Sequence, residues 1–228
     1  MQSKEGAAPP RGLGELWGIS GRGARGPKAR HSTRDVGAAA VRLADRSGLE
    51  SVTLGAVAAE LGLTTTALYR YVDAKEDLLE LMLDAAFGAP PTLGGPTWQE
   101  RARAWALALA DCYRRHPWLG LVRVTGVPRR PSLYAWTDAL VGSLDDAPAG
   151  LDRMRLALLL DAVVRGLAVV GGGDEPPPLW LAEAIGRRHP RLAAELARDW
   201  SDTEDELRAA VDVVLRGVAA QEPAQAAP

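Results

Sequence analysis

Between Thr64 and Lys75 the chain concentrates hydroxyls, aromatic rings and cations: Thr64, Thr65, Thr66, Tyr69, Arg70, Tyr71 and Lys75. Such a set can donate hydrogen bonds to phosphate oxygens and approach base edges, so the chemistry it suggests is nucleic-acid recognition. Lys75 falls in the first turn of the helix that follows, where a cation opposes the helix dipole; a phosphate partner accounts for it better than solvent does. Thr53, just before the preceding helix, joins the same set. No rival chemistry is as well supplied. The sequence has no P-loop, no nucleophile elbow and no carboxylate pair with a partner His, and His31, His116 and His189 are scattered. No catalysis, metal or cofactor is therefore expected. Gly21 to Gly26 spells G-x-G-x-x-G, but no apolar strand precedes it and Pro27 follows, which removes the dinucleotide-binding context.

Short helices have to position these groups. Leu54, Val57, Ala58 and Leu61 recur at helical spacing, Gly62 supplies a helix exit through the left-handed region, and Thr64 is a suitable N-cap for the next helix. Leu68 and Val72 then form its apolar side, which turns Thr65, Thr66, Tyr69, Arg70 and Tyr71 largely outward. This is the pattern of a helix-turn-helix, in which a thin second helix enters the major groove. An earlier helix begins at Ser32, where Asp35 completes a capping box, and buries Val36, Ala39, Ala40, Leu43 and Ala44. Asp73 with Glu76 resembles another capping box, opening a helix with Leu78, Leu79, Met82, Leu83 and Ala86 inward. The breaker cluster at 88–96 marks a boundary. Beyond it, Thr97 with Glu100 opens a helix whose Trp98, Ala102, Trp105, Leu109 and Cys112 form one stripe. Further helices are predicted at about 131–144, 151–170, 177–187 and 202–219.

The expected architecture is all-α: a three-helix N-terminal helix-turn-helix domain joined by a fourth helix to a C-terminal bundle that dimerises. The expected divisions are a basic, largely flexible arm over 1–31, the reading domain with its linker helix over 32–87, a helical ligand-binding and dimerisation domain over 97–220, and a disordered tail over 221–228. With 228 residues, 47% of them hydrophobic, the chain can bury a sizeable core. Cys112 is the only cysteine, which excludes an intramolecular disulfide, and no secretory signal or membrane span is evident. The cytoplasm is the expected compartment. The net charge of −2 hides an asymmetry. Residues 1–31 carry a net +4, and residues 32–87 a net −4. The positive field for DNA must come from the arm, with Arg22, Arg25, Lys28 and Arg30 as its contacts, and a dimer is needed to gather enough phosphate contacts.

The stretch TLGAVAAELGLTTTALYRYVDAKEDLLELMLDAA, preceded by its capped helix, resembles the DNA-binding domain of the tetracycline-repressor (TetR) family. The resemblance rests on Ala58, Leu61-Gly62-Leu63, Leu68-Tyr69, Lys75 and Leu78-Leu79. ELWGISGRGARGPKAR upstream looks like the arm of one branch of that family. RHPWL at 115–119 and AVDVVLRGVA at 210–219 are similar to its tetracycline-repressor-type effector domain. The resemblance implies a homodimer on palindromic double-stranded operator DNA, released when a small-molecule effector enters the C-terminal domain. It gives Tyr69 and Lys75 to phosphates, and Thr65, Thr66 and Tyr71 to bases or backbone. Gly55 departs from the family pattern, since family members often carry a polar reader there, and Ala67 offers only an apolar contact.

The C-terminal part is less sharply marked. Trp105, Trp118, Trp136 and Trp180 lie on different segments and are pocket candidates, although each also suits an ordinary core. Cys112, His116 and the i,i+4 pair Asp161 and Arg165 complete that candidate set. The helix LDRMRLALLLDAVVRGLAVV is apolar almost all round, so Leu158 and Arg165 are assigned to a dimer interface. Leu207, Val211, Val214 and Val218, on one side of the last helix, are assigned there too, giving a four-helix dimer bundle. The alternatives are a DNA-binding regulator without an effector, and an α-helical enzyme or scaffold.

Overall fold

A computed structural model describes residues 8–19, 30–123, 126–170, 178–197 and 203–220. Among the described residues the regular elements are helices: α1 (Arg11–Leu16), α2 (Thr33–Ser47), α3 (Leu54–Glu60), α4 (Thr65–Leu68), α5 (Lys75–Phe87), α6 (Trp98–Arg115), α7 (Pro131–Gly142), α8 (Arg153–Val170), α9 (Leu179–Arg188), α10 (Pro190–Leu196) and α11 (Thr203–Ala219). The all-α expectation holds, and the short α1 and α10 are the helices the periodicity did not separate.

The chain divides into two compact units, Met1–Thr92 with Arg115–Ala139, and Leu93–Arg114 with Leu140–Pro228. This differs from the continuous C-terminal domain expected over 97–220. The returning stretch is drawn back by polar partners in the first unit. Trp118 Nε1 donates to Asp45 Oδ1 at 2.7 Å, His116 Nδ1 lies 2.8 Å from the same oxygen, and Trp136 Nε1 donates to the Gly88 carbonyl at 3.1 Å. Gly88 caps α5, so the Trp136 bond satisfies a carbonyl that the helix cannot satisfy internally, while Asp45 offers a side-chain carboxylate near the end of α2.

In the first unit α2 packs on α5, with Val36, Ala39 and Ala40 of α2 and Leu78, Leu81 and Met82 of α5 almost wholly buried. Ser32 and Asp35 form the expected capping box. The Asp73–Glu76 expectation is corrected: Ala74 is the N-cap of α5 and no side chain caps that helix. Asp73 accepts instead the backbone N–H of Arg11 at 3.0 Å, the first residue of α1. A carboxylate one position too early for its own helix is thereby used on another. The flexible arm expected through residue 31 is corrected as well over α1, where Leu13 is 2% exposed.

In the second unit the apolar stripe of α6 is buried as expected, including Trp98, Trp105, Leu109 and Cys112. Thr97 and Glu100 cap α6 reciprocally. Arg103 of α6 pairs with Asp212 of α11 through a 2.5 Å contact, and α11 packs on α8.

Candidate nucleic-acid interface

A four-residue helix has no stability of its own, so α4 has to be held by its surroundings. The turn before it is closed at α3: Gly62 N–H reaches the Ala59 carbonyl at 3.0 Å and Leu63 N–H the Ala58 carbonyl at 2.8 Å. This pairing needs Gly62 in the left-handed region, where its φ is +65°. Behind α4, Leu68 and Val72 are both fully buried. Each such side chain contributes about 1.5–3 kcal/mol of burial. With the inner side fixed, Thr64, Thr65, Thr66, Tyr69 and Arg70 are exposed, whereas Tyr71 is half-buried.

The threonines at the two helix starts have a structural duty as well. Thr53 Oγ1 accepts the Ala56 N–H at 3.1 Å, and Thr64 Oγ1 accepts the Ala67 N–H at 3.2 Å. A hydroxyl that caps through a lone pair keeps its O–H free to donate, so both can still meet a phosphate. Gly55 is exposed at the start of α3, and a Cβ there would lie 3.8 Å from the Thr65 hydroxyl. A side chain at position 55 would thus sit beside Thr65.

Lys75 is the first residue of α5, exposed, and makes no ion pair among the described residues, as is true of Arg70. Arg30 and Arg34 are exposed in the same way. Arg34 joins the exposed cations as a candidate, although the apolar face of its helix dominates the sequence pattern there. Its signal is a cation in the first turn, the same dipole argument that singled out Lys75. Arg22, Arg25 and Lys28 lie outside the described residues. The other cations nearby are spoken for: Arg46 and Arg42 reach Glu60 at 2.8 and 3.2 Å and tie α2 to the end of α3. The Arg46 guanidinium, and after it Arg42, hold the Glu60 carboxyl below its ordinary value of 4.5. The Ser32 N–H does the same for Asp35. Both folded values are depressed, so this stabilisation is present above the ordinary carboxylate range and is lost as pH falls through it. The urea midpoint is expected to drop on acidification below about pH 5. Glu60→Gln should show a smaller drop over that window, and an equal drop would remove Glu60 from the account.

The eight pocket candidates are divided between the two units. His116 and Trp118 surround Asp45, with their rings 5.8 Å apart, and Trp136 holds the end of α5; all three lie in the first unit. Trp105 and Cys112 are buried in α6, and Asp161 and Arg165 pair at 3.5 Å on α8. Trp180 stands 69% exposed on α9. Among the interface candidates, Leu207 and Val211 are 5% and 0% exposed within the single chain, so they are core residues and not contacts for a partner.

The model for bacterial regulatory proteins of the tetR family matches residues 38–82, which run from α2 through α5. The chain belongs to the TetR family of transcriptional regulators. Over 107 residues, 46% of this TetR-family chain and 40% of the relative, it is 45% identical to the HTH-type transcriptional repressor DrrR1 of Streptomyces coeruleorubidus. The match thus spans less than half of that relative's length. It is 29% identical over 80% of its length, and 82% of the other, to an HTH-type transcriptional regulator of Saccharopolyspora erythraea. In fold it is similar to the TetR family protein ActR of Streptomyces coelicolor, solved in complex with (S)-DNPA, with a TM-score of 0.66 and 18% identity; the alignment covers 84% of this chain and 98% of ActR. The matched stretch includes α3, α4 and the start of α5, the elements that carry the exposed hydroxyls and cations. No helix among the described residues is long and apolar enough to cross a membrane.

Proposed function

We propose that this regulator is a repressor that binds a palindromic operator in double-stranded DNA as a homodimer, and that a small-molecule effector releases it. The observation that carries the DNA reading is the exposed set Thr65, Thr66, Tyr69, Arg70 and Lys75, backed by the fully buried Leu68 and Val72. Phosphate contacts from Tyr69 and Lys75, and from Arg30 with the basic segment before it, fix the register, while Thr65, Thr66 and Tyr71 approach the bases. The likeness to a repressor supports the sign of regulation, and ActR's complex supports an effector. Trp105, Cys112 and the Asp161–Arg165 pair are the side chains offered to that effector. An effector that binds one state better shifts the other by linkage.

Dimerisation is supported by two stripes that the single chain leaves uncovered. On α8, Met154, Leu158, Ala162 and Gly166 follow at i,i+4 spacing, and all are exposed, Leu158 at 64%. On α11, Ala209, Val213 and Gly217 do the same, with Val213 at 62%. Small residues at such spacing allow close helix approach, and two helices from each copy make a four-helix seam. Footprinting on a site selected from random DNA should show two-fold protection by the wild type. Leu158→Glu should run as a monomer by light scattering and lose that footprint; selection of no preferred site by the wild type sinks the reading.

A further inference from the structure

Helix α1 touches two places in the first unit, one at each of its ends. At its N-terminal end it rests on the chain just after the recognition helix. A Cβ on Gly12 would lie 2.3 Å from the Tyr71 carbonyl oxygen and 3.3 Å from Leu81 Cδ1, so only glycine permits this approach. The Arg11 N–H is held by the Asp73 carboxylate at 3.0 Å. Tyr71 and Asp73 are the residues that lead from α4 into α5. At the other end Trp17 Nε1 donates to the Arg129 carbonyl at 2.7 Å, and its ring lies 5.5 Å from that of Tyr134. Between the ends Leu13 is buried, and Glu15 accepts a hydrogen bond from the Thr33 hydroxyl at the start of α2.

The segment under Trp17 is itself clamped to α5. The Arg129 N–H donates to Glu80 at 3.1 Å, its guanidinium meets Asp77 at 3.1 Å, and the Ser132 N–H donates to Asp84 at 2.7 Å. We propose that α1 is a positioning strut that couples this 128–134 segment to the exit of the recognition helix. Gly12, Trp17 and Asp73 are its positioning residues for sequence-specific DNA binding. A short helix fixed at both ends transmits a displacement of one end to the other, whereas one fixed at a single end swings free. Movement of the 128–134 segment is thereby carried to Tyr71 and to the angle at which α4 meets the groove. The inference rests on the DNA-binding reading.

The test uses the full chain and the duplex that the wild type selects from random sequence, with a scrambled duplex at the same salt for comparison. Trp17→Ala and Asp73→Ala are each expected to weaken binding to the selected duplex about tenfold, with scrambled binding unchanged, because positioning serves base readout and not phosphate contact. The double variant is expected to lose about tenfold again in total and not about a hundredfold, since a strut released at one end has nothing further to transmit. Asp73→Asn, which keeps an acceptor, should restore binding. If Trp17→Ala fails to fold by circular dichroism, Trp17→Phe, which removes only the N–H donor, takes its place in the cycle. Additive losses, equal losses on both duplexes, or wild-type affinity in the single variants overturn the strut while leaving DNA recognition intact. Absence of any selected duplex for the wild type overturns the DNA reading and the strut with it.

Discussion

Replacing Tyr69 and Lys75 together by Ala is expected to abolish operator binding while leaving the helical content and the dimer mass unchanged. Both side chains are exposed, so their removal touches no core; Tyr69 is 47% exposed. Each is assigned to a phosphate, and a hydrogen bond to a charged group contributes about 1.5–3 kcal/mol. Two such bonds per subunit, repeated in the second copy, amount to at least a hundredfold in affinity even after generous discounting for solvent. The net charge of the 32–87 region is −4, so little else there compensates. Lys75→Ala alone should also lower the slope of log affinity against log salt by about 2 for the dimer, one phosphate contact in each copy. Anisotropy titrations across a salt series measure both quantities. Unchanged affinity in the double variant would remove α4 and the start of α5 from the interface.

The second large effect is expected from Glu80→Ala. Glu80 Oε1 accepts the Arg129 N–H at 3.1 Å, and its Oε2 faces Arg130 Nη1 at 3.4 Å. Arg130 is only 4% exposed, with its guanidinium 5.5 Å above the Phe87 ring. Removing the carboxylate leaves a buried cation without its countercharge, and breaking a buried pair from one side costs about 3–5 kcal/mol. Urea denaturation should show that loss in full for Ala. Glu80→Gln is expected to lose less, because it keeps an acceptor for the Arg129 N–H. A loss below about 1 kcal/mol for Ala would place the pair among surface contacts, which contribute little. The result bears on function, since the same acid face of α5 anchors the segment on which Trp17 rests.

The reading element was legible in the sequence because its determinants are local. Leu68 and Val72 four apart, Gly62 after Leu61, and Thr64 three residues before the N–H it accepts all act within one turn. The capping boxes at Ser32–Asp35 and Thr97–Glu100 were legible for the same reason. Asp73 shows where that logic stops. Its spacing from Glu76 fits a box, but a backbone N–H 62 residues upstream in the chain competes for the carboxylate and wins it. The last helix shows a second limit. Periodicity gives α11 an apolar side in Leu207, Val211, Val214 and Val218, but it cannot say which of them meet the chain's own α8; Leu207, Val211 and Leu215 are the ones buried within the chain. The exposed stripe proposed for a partner, Ala209, Val213 and Gly217, has two small residues in three, whose weak hydrophobicity gives little signal.

By itself, then, the sequence determined the all-helical class, the helix-turn-helix with its outward hydroxyls and cations, and family membership through those same residues. These follow from side-chain spacing within single helices, where the rise and the 3.6-residue period fix which groups share a face. Only the tertiary structure decided that Arg115–Ala139 joins the reading unit, that residues 11–16 form a docked helix, and that His116, Trp118 and Trp136 hold α2 and α5. Those choices depend on which distant donor reaches a carboxylate or a helix-end carbonyl first. Such competition is settled by burial and geometry across the whole unit, and no local spacing encodes it.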